Sequence, residues 1–161
     1  MKAIVYKKYG PPDVLELEEV EKPTPKDTEV LIKVRATSVN AIDLHFRSGN
    51  PFLARIMAGG LLKPKIGILG FDVAGEIESV GRKTQRLKEG DQVYGRVPPG
   101  VNGANAEYVC VPEEEVMTKP ATITYEEAAA APASATTALW FLRAGGLQRG
   151  QKVLINGASG G

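Results

Sequence analysis

From Met1 to about Thr122, apolar residues recur at every second position. Val30, Ile32, Val34 and Ala36 alternate with Leu31, Lys33, Arg35 and Thr37. Val73, Gly75 and Ile77 alternate with Glu76 and Glu78, and Val93, Gly95 and Val97 with Tyr94 and Arg96. Val109 and Val111 flank Cys110. Strand side chains point to opposite faces in turn, so this period predicts half-buried strands in a sheet closing into a barrel or sandwich. The breaks between runs have their own chemistry. Tyr9-Gly10-Pro11-Pro12-Asp13 separates the first strand from the next, and Lys88-Glu89-Gly90-Asp91 is a tight connection with Gly90 free to take positive φ. Pro23, Pro25 and Pro112 mark strand ends, because proline cannot donate to a ladder.

Two stretches depart from this pattern. Phe52-Leu53-Ala54-Arg55-Ile56-Met57-Ala58-Gly59-Gly60 reads as a short helix or apolar loop, either a lid over a pocket or a loop packed on the barrel by Phe52, Leu53 and Ile56. After Thr122 the pattern turns helical. Thr124-Tyr125-Glu126-Glu127 is a capping box, in which the Thr124 hydroxyl accepts from the Glu127 N–H and the Glu127 carboxylate reaches back. An alanine run follows and Pro132 interrupts it. A second helix begins at Ser134 or Ala135, places Trp140 and Phe141 in the core, and ends at Gly145-Gly146.

Val153-Leu154-Ile155 then reads as a strand buried on both faces, running into Asn156-Gly157-Ala158-Ser159-Gly160-Gly161. Ala158 and Gly160 fit the first two small positions of a G-x-G-x-x-G turn, whose backbone N–H groups hold a dinucleotide pyrophosphate. Taken alone, this is either such a turn or a plain glycine-rich loop.

Composition narrows the class. The 161 residues are about one domain's worth, and the net charge of +1 argues against a dominant nucleic-acid or membrane-surface role. No apolar run approaches the roughly 20 residues of a membrane span. Cys110 is the single cysteine, which excludes an internal disulfide and a multi-cysteine zinc site and suggests a reducing, cytoplasmic setting.

Three segments together resemble the medium-chain dehydrogenase/reductase superfamily. They are Ser38-Val39-Asn40-Ala41-Ile42-Asp43 with Arg47-Ser48-Gly49; Leu69-Gly70-Phe71-Asp72-Val73-Ala74-Gly75 through Val80-Gly81 and Glu89-Gly90-Asp91; and Ala106-Glu107-Tyr108-Val109 through Thr137-Ala138 to the terminal glycines. Their order and spacing match over the whole chain. The resemblance implies a mainly β fold with some α: a GroES-like, partly open β-barrel over residues 1–123. Residues 124–161 would then be helices and the first strand of a truncated Rossmann domain, cut within its glycine-rich loop.

Within that superfamily, zinc-dependent members place Cys where Asn40 stands and His-Glu where Phe71-Asp72 stands. Asn40 is a poor zinc ligand and Phe71 is none, so the chain resembles the zinc-independent quinone oxidoreductase branch. The branch implies hydride transfer from NADPH, with NADH as the alternative, to a quinone or α,β-unsaturated carbonyl. It also implies a homodimer with no nucleic-acid or membrane partner. A zinc-type alcohol dehydrogenase relative and a non-catalytic GroES-like interaction module are the alternatives. The implied catalytic candidates are Asn40, Asp43 and His45; His45 stands where the branch often has tyrosine. The implied cofactor-binding candidates are Asn40, Arg47, Thr137, Ala158, Ser159, Gly160 and Gly161. Bland roles compete: a local cap for Asn40, a turn carboxylate for Asp43, a solvated ring for His45, a surface charge for Arg47 and a helix-start hydroxyl for Thr137.

Overall fold

The computed structural model describes residues 1–65 and 67–157. Strands β1 (Lys2–Tyr6) and β2 (Leu15–Glu19) form an antiparallel ribbon, joined through a 3-10 turn at Pro12–Val14. Strand β3 (Glu29–Thr37) leads into helices α1 (Ala41–Ser48) and α2 (Phe52–Met57). Strands β4 (Asp72–Val80), β5 (Gln92–Arg96), β6 (Tyr108–Pro112) and β7 (Val116–Thr118) follow, then helices α3 (Tyr125–Ala130) and α4 (Pro132–Ala144).

Five strands make one antiparallel sheet in the order β6-β3-β4-β5-β7. It does not close, since β6 and β7 are its two edges. The ribbon is tied in by isolated bridges from Ala3 to Ala106 and Val5 to Ile68, which gives the partly open barrel the resemblance implies.

The alternation read from the sequence is largely the alternation of burial, although Leu31 and Ala74, on the opposite faces of their strands, are buried as well. Val30 and Ile32, Val73 and Ile77, Val93 and Val97, and Val109 and Val111 meet in one core, while their neighbours Lys33, Arg35, Glu78 and Arg96 face water. Gly90 takes φ of 86° in its tight turn, a backbone region that glycine enters without steric cost. A second cluster joins Tyr6 and Val14 of the ribbon side to Phe46 of α1, Ala54 and Ala58 at α2, and Leu69 and Phe71 before β4.

The helices correct several expectations. Helix α2 forms, yet it packs through Ala54 and Ala58, and Phe52, Leu53 and Ile56 are exposed. Small residues let this short helix lie close, which turns the larger side chains outward. Helix α3 has the expected capping box, with Glu127 N donating to Thr124 Oγ1 at 3.2 Å and Thr124 N to Glu127 Oε2 at 2.8 Å. Its buried Ala128 and Ala129 rest on Ala74 of β4. Helix α4 starts two residues earlier than expected, because proline is well suited to the first helical turn. Trp140 and Phe141 are not core: they stack edge to face on each other and are more than 60% exposed (64% and 63%). Val153-Leu154-Ile155 is not a strand, and Leu154 is 95% exposed. A parallel strand is held by neighbours on both sides, and no described strand pairs with this segment.

Candidate functional site

The site is built where β3 ends, α1 begins and β4 starts. Asn40 is the N-cap of α1, in extended backbone, and its Oδ1 accepts from Ile42 N at 3.3 Å. Asp43, three residues on, accepts from Asn40 N at 3.0 Å through Oδ2, closing the reciprocal cap. Its other oxygen accepts from Gly70 N at 2.9 Å. Gly70 has φ of 103°, and a side chain there would collide with Ala104 and Asn105. Glycine at this position therefore lets the loop before β4 pass close enough to be held by Asp43.

Asp43 is buried. Burial raises its pKa above the ordinary carboxylate value, the backbone N–H groups of Asn40 and Gly70 oppose that, and the nearby Asp72 adds to the rise. Asp43 is thus a structural tie between α1 and the loop leading into β4.

Asp72, the first residue of β4, is the centre of the polar network. It is 1% exposed. Its Oδ2 accepts from Ser38 Oγ at 2.7 Å and from Asn40 Nδ2 at 2.9 Å, and its Oδ1 accepts from Ala133 N at 3.0 Å. Phe71 beside it is buried, edge to face against Phe46 with ring centroids 4.9 Å apart.

These elements enclose a hollow of about 200 Å³, lined by Asn40, Ala41, Ile42, Phe71, Arg96, Ala133, Ser134 and Thr137. Asn40, Phe71 and Thr137 lie far apart in sequence and meet here. Its volume is below the roughly 300–1,000 Å³ of complete small-molecule sites. The hydroxyl of Thr137 donates to Ala133 O at 2.7 Å, which leaves its oxygen free to accept from a ligand. The exposed Arg96 supplies the one cation of the lining.

The structure does not bring His45 and Arg47 to this hollow. His45 is exposed, one helical turn further along α1, and its Nδ1 lies 2.8 Å from the Asn50 carbonyl oxygen. The Arg47 guanidinium donates to Gly10 O at the ribbon side. The catalytic expectation for His45 and the cofactor expectation for Arg47 therefore lack geometric support. Ala158, Ser159, Gly160 and Gly161 lie outside the described residues. Asp72 and Arg96 were missed by sequence reasoning. An acid directly after the aromatic that replaces a zinc ligand was the available clue to Asp72.

Among the described residues, no three His, Cys, Asp or Glu side chains converge as a metal site. A larger groove of about 470 Å³ runs between Val20–Lys26 and β6, and none of the expected site residues lines it. Burial, followed by the charge of Glu29, pushes the Cys110 thiol there up to about 11, so little of it is thiolate at neutral pH. No described helix is long and apolar enough to cross a membrane.

The fold and site define a GroES-like member of the dehydrogenase/reductase class. The chain belongs to the alcohol dehydrogenase GroES-like domain family, whose pattern it matches over residues 26–121. It is 39% identical to the 2-methylene-furan-3-one reductase of Solanum lycopersicum, over all of this chain and 42% of that protein. Among solved structures it is similar to the quinone oxidoreductase of Coxiella burnetii (TM-score 0.84, 33% identity, 93% of this chain and 46% of that one). It is also similar to a mycobacterial protein complexed with NADPH (TM-score 0.82, 31% identity, all of this chain and 47% of that one). The chain thus spans a little under half the length of the relatives it matches.

Proposed function

We propose that the full-length protein is an NADPH-dependent, zinc-free reductase of quinones or α,β-unsaturated carbonyls. Residues 1–123 form its substrate-side domain and residues 124–161 open its cofactor domain. The observation that carries this reading is the single hollow shared by Asn40, Phe71 and Thr137. The names of the tomato reductase and the Coxiella oxidoreductase, and the NADPH in the mycobacterial structure, support the acceptor classes and the cofactor.

The residues fit a nicotinamide end. Phe71 and Ile42 give apolar walls that exclude water, and the Thr137 oxygen is a free acceptor for a carboxamide or ribose donor. When bound, the reduced nicotinamide supplies the hydride. Asn40 orients the ring or the acceptor, through an amide already held at both ends by Ile42 and Asp72. Arg96 at the rim offers a positive charge to a developing oxyanion.

The same residues do not fit catalytic zinc, which needs three N, S or O donors and an open position. The Asn40 amide is locked on Asp72, Phe71 is a hydrocarbon, and three donors already occupy the Asp72 carboxylate. An acceptor that is already electron-poor needs no metal to polarise it. A homodimer and a cytoplasmic setting complete the proposal, and sedimentation and cell fractionation test them.

The decisive assay is NADPH oxidation by the purified full-length protein, with a benzoquinone and an alkenone as acceptors, with and without a chelator. Turnover that survives chelation supports the reading. Failure with both acceptors, or loss on chelation restored by zinc, contradicts it.

A further inference from the structure

We propose that Asp72 is the positioning residue that fixes the two walls of the hollow to each other. One wall is the start of α1 with Asn40. The other is the start of α4 with Ala133, Ser134 and Thr137. Covalently these walls are some ninety residues apart, and the Asp72 carboxylate joins them directly, accepting from Asn40 Nδ2 at 2.9 Å and from Ala133 N at 3.0 Å.

Helix α4 explains why the link is needed. The first N–H groups of a helix have no partner within it, and a side chain at the N-cap normally supplies one. The N-cap of α4 is Ala131, which has no side-chain acceptor, and its first residue is Pro132, which has no N–H. Ala133 is therefore the first donor of the helix. Its cap comes from a strand sixty-one residues earlier in the chain. A carboxylate at this end also lies favourably along the helix dipole.

The residue type follows from the donor count. Ser38 Oγ, Asn40 Nδ2 and Ala133 N all donate, and a carboxylate presents accepting oxygens to all of them. An amide presents one oxygen and one NH₂. Whichever way it turns, the NH₂ group meets another donor.

Asp72 lines no part of the hollow, so it acts through Asn40 and α4 rather than on a ligand. The proposed consequence for catalysis rests on the reductase reading above; the clamp itself does not.

The test uses the full-length protein carrying Asp72→Asn or Asp72→Ala. The readouts are amide exchange at Ala133 and the separate kcat and KM values for NADPH and a quinone. Asp72→Ala is expected to speed Ala133 exchange about tenfold or more. It should also lower kcat and raise the KM for NADPH by about tenfold each, the scale of a small misplacement of a catalytic wall, with the quinone KM within about twofold. Asp72→Asn is expected to lose at least one of the two links, seen as faster Ala133 exchange or lower kcat. A folded Asp72→Asn protein that retains both Ala133 protection and kcat overturns the proposal. Unchanged Ala133 exchange in Asp72→Ala also overturns it. If Asp72→Ala does not fold, the near-isosteric Asp72→Asn still decides. If the unaltered protein reduces no quinone, Ala133 exchange alone decides the clamp.

Discussion

The five-stranded sheet and the segment after Pro132 are built from the same apolar side chains, and they put them to opposite use. In the sheet, Val30, Ile32, Val73 and Val93 have no exposed surface. After Pro132, Leu139, Trp140, Phe141, Val153, Leu154 and Ile155 all face water. Both regions are rich in apolar side chains, but only the sheet has cross-strand partners within reach. Burial is a property of a pair of surfaces, and apolar area stabilises only when something removes it from water. Helix α3 stands between the two cases: its small alanines let it lie flat on Ala74, so it is fixed to the sheet while α4 extends beyond it.

The largest expected contrast follows from this. In the 161-residue chain, Ile32→Ala should cost about 2–5 kcal/mol, the range for emptying a core position that collapses only partly. Leu154→Ala should stay within about 0.5 kcal/mol, as for an ordinary surface change. Urea unfolding of the two variants measures both. Equal costs would erase the distinction between the regions.

A smaller effect sharpens the same contrast through pH. Glu113 staples a loop to the sheet by accepting from the backbone N–H groups of Gln85, Arg86 and Leu87. Partial desolvation pulls its pKa upward, but those three donors outweigh it and the net direction is downward. Its stabilisation is therefore present above the unfolded glutamate pKa of about 4.3 and lost as pH falls through the lower folded value. Asp43 has the opposite sign. Burial raises its pKa, so its stabilisation is present below the unfolded aspartate value of about 3.9 and lost as pH rises through the folded one. Glu113→Gln should flatten the acid side of the stability profile, and Asp43→Asn should remove the opposing slope. Urea midpoints between about pH 3 and 7 check this, and an unchanged profile in Glu113→Gln would remove the staple.

The sheet was legible because β3, β4, β5 and β6 each repeat the period of two, and α3 because Thr124 and Glu127 form a capping box. Helix α1 was less so. Its box is Asn40 with Asp43 rather than the commoner Ser or Thr with Glu, a pair whose sequence reads as polar chemistry as readily as a cap. The cap geometry of Asn40 is what aims its amide at Asp72. Strand β7 is three residues long, too short for any period to show. The hydrogen-bond role of Asp72 was not legible because its partners come from residues 38, 40 and 133, a set that only the fold brings together. Trp140, Phe141 and Val153–Ile155 were misplaced because sequence pattern records which residues favour burial and is silent on whether a partner surface is present.

In the proposed reductase, one hollow between α1 and α4 receives the nicotinamide end of the cofactor. The most direct test is a titration of the full-length protein with NADPH, followed by backbone amide NMR shifts. Perturbations beyond the glycine-rich loop are expected to concentrate at Ala41, Ile42, Ala133, Ser134 and Thr137. Shifts confined to the groove beside Tyr108 and Cys110, or saturating binding that leaves those five amides unmoved, would contradict that placement.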